Sequence, residues 1–199
     1  TPTATSTSPH ALEIQGGVAM DGDIEVLNSF YVKPRTASYT GVTFDLVGSG
    51  NANPIGITQY GGYFWVADDL DAEVYKYNLD GTYTGVSFDT AGSGNANSYS
   101  ITQYGGYFWV TDYIDALVYK YATDGTYTGV TFNTTGSGNA LPQGITQYGG
   151  YFWVTDEVDA LVYKYATDGT YTGVSFDTAG SGNANPYGIT QYGGYFWVV

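Results

Sequence analysis

The sequence repeats with a period of 44 residues, and this repeat constrains the fold more than any other feature. The segment ITQYGGYFWV occurs at 57–66, 101–110, 145–154 and 189–198. The segment VYKY occurs at 74–77, 118–121 and 162–165. Helical repeats would show apolar residues at a 3.6-residue spacing, which these units lack. A period of 44 without helical periodicity is typical of the four-stranded blades of β-propellers.

Each unit is predicted to contain four short strands separated by turns. In the third full copy, strands are expected at 144–148, 151–154, 161–165 and 171–176. Gly149-Gly150 and Asp168-Gly169 are typical hairpin turns, because glycine readily adopts the positive φ that such turns need. A four-stranded meander cannot bury both faces alone, so we expect the units to pack radially around a shared axis.

The sequence therefore predicts an all-β chain, a β-propeller of about four or five four-stranded meander blades. We expect a Thr/Ser/Pro-rich linker at 1–10 and the propeller at 11–199. Within the propeller we expect a divergent first blade at about 17–53, repeats at about 54–97, 98–141 and 142–185, and a half blade at 186–199. The ring is expected to close by pairing of N- and C-terminal strands, or to be completed by a neighbouring chain.

The repeat unit resembles the blades of NHL-type propellers. The motifs that carry the resemblance are Gly-Ile-Thr, Gly-Gly-Tyr-Phe-Trp-Val-Thr-Asp, Val-Tyr-Lys-Tyr and Asp-Gly, in that order. The resemblance covers about residues 54–199, and more weakly 17–53. It implies the fold and leaves the function open, because propellers serve as enzymes, lectins and scaffolds.

Composition and charge exclude several classes of function. The formal net charge is −14, with 5 Lys and Arg against 19 Asp and Glu, so no nucleic-acid partner is expected. The chain has no Cys, which excludes disulfides and thiolate chemistry. No apolar run reaches the 18 or so residues that a membrane span needs, so no membrane insertion is expected.

Catalytic motifs are also missing from the repeats. The one histidine, His10, adjoins the linker, and Gly48-Ser49-Gly50 has neither a following helix nor a partner histidine. Near-identical repeats should leave no unique combination of acid and base. The chain is therefore predicted not to be an enzyme and to need no cofactor.

Each full repeat carries an Asp-x-x-Asp turn that is a weak candidate for Ca²⁺ binding. The residues are Asp68, Asp71, Asp112, Asp115, Asp156 and Asp159. The favoured interpretation is that these side chains bond their own backbone and stabilise the turn.

Aromatic residues divide into two groups. The tryptophans at 65, 109, 153 and 197 lie in strands that are apolar on both faces and are predicted to pack between blades. Turn-adjacent tyrosines and loop asparagines are candidate ligand-binding residues, with simple packing on the blade edge as the alternative. These candidates are Tyr60, Tyr104, Tyr148, Tyr192, Tyr99, Tyr187, Asn95 and Asn183.

Two repeat positions vary while most of the unit is fixed. Residues 55, 99, 143 and 187 read Ile, Tyr, Gln and Tyr. Residues 69, 113 and 157 read Asp, Tyr and Glu. Both sets fall at strand ends or loops, where we expect solvent-facing side chains that tune a partner surface or tolerate drift.

These patterns favour a non-catalytic extracellular module with a structural or adhesive role on a surface appendage, fibre or virion. The alternative is a lectin-like propeller with one glycan site per blade. The expected partners are glycans or other copies of the chain. Candidate glycosylation sites are Thr1, Thr3, Thr5, Thr7 and Asn133.

Overall fold

The computed structural model describes residues 41–199, and these contain fourteen β-strands. The chain divides into two units, Thr1–Gly41 and Val42–Val199. The predicted linker and most of the predicted divergent first blade lie outside the described residues. No helix in the described part is long and apolar enough to cross a membrane.

Twelve strands form three antiparallel four-stranded sheets, and the last two form a separate hairpin. Blade 1 contains β1 (Pro54–Tyr60), β2 (Tyr63–Asp68), β3 (Glu73–Asn78) and β4 (Tyr83–Asp89). Blade 2 contains β5 (Ser98–Tyr104), β6 (Tyr107–Asp112), β7 (Leu117–Ala122) and β8 (Tyr127–Asn133). Blade 3 contains β9 (Pro142–Tyr148), β10 (Tyr151–Asp156), β11 (Leu161–Ala166) and β12 (Tyr171–Asp177). The final hairpin contains β13 (Ile189–Tyr192) and β14 (Tyr195–Val198).

Within each blade the strands follow one another in chain order, which confirms the predicted meander. Gly149 and Gly150 connect β9 to β10 with φ values of 63° and 80°, in the left-handed region that glycine adopts without strain. Short 3-10 helices precede the next unit at Val47–Ser49, Ala91–Ser93, Thr135–Ser137 and Ala179–Ser181. The described residues are all-β with propeller-like blades, as the sequence predicts.

The seams between blades are filled by aromatic rings. Trp65 of blade 1 lies 4.7 Å from Phe108 of blade 2, measured between ring centroids. Trp109 makes the same 4.7 Å contact with Phe152 of blade 3. Both tryptophans are buried, as predicted from strands that are apolar on both faces. Burying a ring of this size contributes about 2–3 kcal/mol, so the seams are a main source of stability.

The first strands of successive blades lie side by side and approach each other closely at two glycines. A Cβ added at Gly56 would lie 2.5 Å from the Ser100 Cα. A Cβ added at Gly144 would lie 2.6 Å from the Tyr187 carbonyl oxygen. Glycine is needed at these two positions because the neighbouring backbone itself fills the space. Together the first strands line a cavity of about 390 Å³.

The final hairpin ends the described arc. Among residues 41–199, β14 pairs only with β13, and Trp197 is 60% exposed. Its tryptophan therefore differs from those in the first two seams, contrary to the prediction that all four pack between blades. Closure of the ring by N-terminal strands involves residues outside the described part and stays a prediction.

Candidate active site

The two variable repeat positions meet at one end of the blades. One position is the second residue of the first strand in the three blades and lies two residues before β13 at Tyr187, and the other comes directly after the second strand. These two strands are antiparallel, with Pro142 opposite Asp156 in blade 3, so the beginning of one lies beside the end of the other. We call the residues gathered there the acidic-aromatic cluster. It consists of Asp69, Tyr99, Tyr113, Gln143, Glu157 and Tyr187.

Glu157 receives hydrogen bonds from two members of the cluster. The Tyr187 hydroxyl donates to its Oε1 at 2.7 Å. The Gln143 Nε2 donates to its Oε2 at 2.9 Å. Gln143 belongs to the same blade as Glu157, whereas Tyr187 lies just before the final hairpin. The carboxylate is therefore fixed by donors from two successive repeats.

Two tyrosines complete the cluster on the side of blade 2. The rings of Tyr99 and Tyr113 make an edge-on contact, with centroids 5.2 Å apart and planes at 65°. Burial, followed by the nearby Tyr187, Glu157 and Asp69, raises the pKa of Tyr99 to about 12. Burial also raises the pKa of Tyr113, with Asp69 as the next cause. Both phenols are therefore neutral at physiological pH.

Buried acceptors in the cluster lack hydrogen-bond donors. Gln143 is 2% exposed, and its Oε1 accepts no hydrogen bond. The Asp69 Oδ1 is also buried without a donor, while its Oδ2 accepts a long hydrogen bond of 3.5 Å from the Asn53 Nδ2. Burial, followed by the negative charges of neighbouring aspartates, raises the pKa of Asp69. This carboxyl group therefore holds its proton more readily than an ordinary aspartate.

The backbone around the cluster is fixed by buried polar side chains. The Asp156 Oδ1 accepts backbone N–H groups from Val158 and Asp159, which holds the loop that carries Glu157. The Thr155 hydroxyl contacts the Tyr187 carbonyl oxygen at 3.3 Å and accepts the Gly144 N–H at 2.7 Å. These bonds connect blade 3 to the segment before the final hairpin, so the Glu157–Tyr187 pair rests on a rigid framework.

The described lysines lie away from the cluster. Lys76, Lys120 and Lys164 place their ammonium groups 3.7–3.9 Å from the ring centroids of Tyr63, Tyr107 and Tyr151. The described residues contain no arginine or histidine, since the remaining basic residues precede residue 41. The cluster can therefore exchange protons through carboxyl groups and can offer phenol hydroxyls as hydrogen-bond donors.

Most of the tyrosines predicted to bind ligands lie at the opposite, hairpin end of the blades. Tyr60, Tyr104 and Tyr148 each pack edge-on against a phenylalanine of the next repeat, with centroids 5.8 Å apart. Tyr192 is 78% exposed on the final hairpin. Only Tyr99 and Tyr187 of the predicted tyrosines enter the cluster, and Tyr99 lies within β5 rather than before it.

The remaining predicted residues lie elsewhere. Asn95 is completely buried, so its side chain cannot reach a ligand outside the fold, and Asn183 is half-buried beside the final hairpin. Asn133 is exposed at the end of β8, where glycosylation stays a prediction. Thr1, Thr3, Thr5 and Thr7 lie outside the described residues. The predicted glycan and self-association partners stay predictions.

The first aspartate of each Asp-x-x-Asp turn binds backbone, and the second binds a tyrosine hydroxyl in two of the three turns. Asp68, Asp112 and Asp156 are completely buried, and each accepts N–H groups from the turn that follows. Asp71 and Asp159 each accept a tyrosine hydroxyl at 3.2 Å, from Tyr75 and Tyr163. Asp115 is exposed. Within residues 41–199, no three His, Asp or Glu side chains are grouped so as to hold a metal ion.

The cluster overturns two expectations about the repeats. Gln143 is buried, although variable positions were expected to face solvent. The repeats also do provide a unique combination of carboxyl and phenol groups, because the copies differ where they meet. Asp69, Tyr113, Gln143 and Glu157 were absent from the predicted site, and the signal that could have identified them was this variation between copies.

The chain resembles solved structures of other proteins. No family model and no curated protein matches the chain. Virginiamycin B lyase from Staphylococcus aureus superposes with a TM-score of 0.56 at 20% identity, over 73% of this chain and 48% of that one. A catalytically inactive histidine-to-alanine variant of that lyase, solved with quinupristin, gives the same values. Glutaminyl cyclase from Myxococcus xanthus has a TM-score of 0.60 at 12% identity, over 72% of this chain and 66% of that one.

These similarities support the propeller fold and correct the functional expectation. The prediction of a non-catalytic structural or adhesive module is wrong, because the propellers that this chain resembles are enzymes. The prediction that the chain is not an enzyme is contradicted by the same finding. The chain spans about half the length of the lyase it resembles. At this level of identity the likeness establishes the fold alone.

Proposed function

We propose that this chain carries the active site of a propeller enzyme that works by acid–base catalysis at the acidic-aromatic cluster. The observation that carries the proposal is the hydrogen-bonded Glu157, held by Tyr187 and Gln143 where the otherwise similar repeats differ. A carboxylate held by donors from two repeats, at a position where the copies differ, is the arrangement expected of a functional site.

The two carboxyl groups of the cluster suit opposite roles. Glu157, with its two donors, is the proposed base, and Asp69, whose pKa is raised by burial, is the proposed acid. In an elimination, Glu157 removes a proton from a substrate carbon, and the freed electron pair forms a double bond to the adjacent carbon as the bond from that carbon to the leaving group breaks. The leaving group departs with the electron pair of that bond, and Asp69 gives it a proton. The resemblance to a lyase favours this reaction type over others.

The experiment measures turnover by the intact chain. Quinupristin and a peptide with an N-terminal glutamine are the first substrates, because the similar enzymes are a virginiamycin B lyase solved with quinupristin and a glutaminyl cyclase. Substrate loss and product mass are followed by liquid chromatography and mass spectrometry. Glu157→Gln and Asp69→Asn are each expected to lower kcat by about 10²–10⁴-fold.

Asp124→Asn is the matched control, because Asp124 is an exposed hairpin carboxylate bonded to the Thr126 N–H. It should retain the activity of the unaltered chain. Full activity in Glu157→Gln, or no consumption of either substrate by the unaltered chain, would overturn the proposal.

The finer family assignment and the location belong to the same proposal. An NHL-type propeller is supported by the order of the Gly-Gly-Tyr-Phe-Trp-Val, Val-Tyr-Lys-Tyr and Asp-Gly motifs. An extracellular location is supported by the Thr/Ser/Pro-rich composition of residues 1–10 and by the lack of Cys and scarcity of Lys.

A further inference from the structure

Among residues 41–199, the acidic-aromatic cluster has negative charge without a compensating cation. Its two carboxyl groups, Asp69 and Glu157, come from different blades, and the charges of both act on Tyr99. The three described lysines are held against tyrosine rings on the second strands of their blades. A ligand that enters the cluster therefore meets a negative potential that none of the three described lysines neutralises.

Aromatic rings stand beside these carboxyl groups. Tyr99 and Tyr113 are in edge-on contact, and the Tyr187 ring is 43% exposed next to Glu157. Tyrosine rings attract cations through their negative π-faces, and the effect grows where water is excluded. Because burial and neighbouring charges raise the pKa of Tyr99 and Tyr113, both rings stay neutral hydrogen-bond donors over the physiological range.

An independent observation indicates that the ligand must donate hydrogen bonds. Gln143 is only 2% exposed. Its Nε2 donates a hydrogen bond to Glu157, but its Oε1 accepts none. The Asp69 Oδ1 is a second buried oxygen without a donor. A buried acceptor without a donor is destabilising, and a bound donor removes that cost.

We propose that the acidic-aromatic cluster binds the protonated amine of an organic substrate. An ammonium group has several N–H donors, no acceptor and a positive charge, which matches the unpaired Gln143 and Asp69 oxygens, the Glu157 carboxylate and the tyrosine rings. This names the substrate class of the site described above and rests on that proposed function. The copies differ at these positions, so each chain holds one such site rather than one per blade.

The test is calorimetric titration of the full chain with benzylammonium chloride at about pH 7, where the amine is protonated. Benzyl alcohol is the neutral probe of nearly the same shape. We expect one benzylammonium per chain and no measurable heat from the alcohol. Affinity should fall as salt is added, because the attraction is partly electrostatic.

Glu157→Gln and Asp69→Asn should each weaken benzylammonium binding at least about tenfold, and Tyr99→Leu should weaken it as well. Asp124→Asn should bind like the unaltered chain. Melting curves of each variant check that the fold is intact. Equal binding of benzyl alcohol, binding unchanged in both carboxyl variants, or several equivalent sites would overturn the inference. Tight binding of Ca²⁺ or Mg²⁺ that displaces the amine would reassign the cluster to metal ions.

Turnover and amine binding are measured separately, so the two proposals can fail independently. Benzylammonium binding without turnover of any substrate would leave the amine site standing and remove the enzymatic role. Turnover that depends on Glu157, with no preference for amines, would leave the enzymatic role standing and remove the amine site.

Discussion

The Tyr187 hydroxyl donates a 2.7 Å hydrogen bond to the Glu157 Oε1 across the boundary between blade 3 and the final hairpin. These residues are 30 positions apart in the chain. The pair exists only because the first strand of one repeat packs beside the preceding blade. This hydrogen bond distinguishes Glu157 from Asp69 and Tyr113, which occupy the same position in the other repeats.

Tyr187→Phe should reduce the proposed activity with little loss of stability. The variant removes one of the two hydrogen bonds to Glu157, and this bond lies at the exposed surface. We expect kcat/KM to fall about 10–100-fold and the melting temperature to change little, because the Tyr187 ring is partly exposed. Tyr192→Phe is the control, since Tyr192 lies at the opposite end of the final hairpin. Equal losses in the two variants would contradict the role of the Tyr187 hydroxyl.

Trp109→Ala and Trp197→Ala compare the same residue at the same repeat position. Trp109 is 4% exposed in the seam between blades 2 and 3, whereas Trp197 is 60% exposed. Loss of the buried ring should lower the free energy of unfolding by about 3–5 kcal/mol. The exposed ring should contribute much less. Urea denaturation measures both, and similar losses would show that Trp197 is buried in solution.

Gly56→Ala tests the close approach of the first strands. The added Cβ would meet the Ser100 Cα at 2.5 Å, so the backbone of blade 1 or blade 2 must move. Overpacking of this kind costs about 1–3 kcal/mol. Gly136→Ala is the control, because a Cβ there has no neighbour within 4 Å. Thermal melting should separate the two variants, and a Gly56→Ala variant as stable as the control would contradict the described spacing of the strands.

The fold should lose stability in alkaline solution. Tyr121 and Tyr165 are buried, and their hydroxyls lie 2.6 Å from Ser93 Oγ and Ser137 Oγ. Burial raises the pKa of both tyrosines above their ordinary value of 10.0. The unfolded chain therefore releases these protons at a lower pH than the folded chain does. Stability is fully present below about pH 10 and falls as the pH rises above it.

Melting temperatures measured from about pH 8 to pH 12 check this expectation. The double variant Tyr121→Phe with Tyr165→Phe removes both groups, so its stability should depend less steeply on pH over that range. An unchanged slope in the double variant would assign the alkaline loss to other tyrosines.

The blade itself could be predicted because its signals are local. The Gly149-Gly150 and Asp168-Gly169 turns mark the hairpins, and the strands between them extend one or two residues beyond the predicted ends at Val154, Tyr165 and Phe176. Those extra residues are paired in the sheet, and pairing depends on the neighbouring strand rather than on the residue's own preference.

The sequence by itself determined the 44-residue unit, its four strands and the packing of Trp65 and Trp109 in the seams between blades. Only the tertiary structure decided which polar residues act together. Gln143 and Glu157 are 14 residues apart, and Tyr187 lies in the next repeat. The repeat period shows which residues occupy the same position in each blade. Which residues of different repeats contact each other depends on how adjacent blades pack. The candidate site lies where unequal residues of successive copies come into contact.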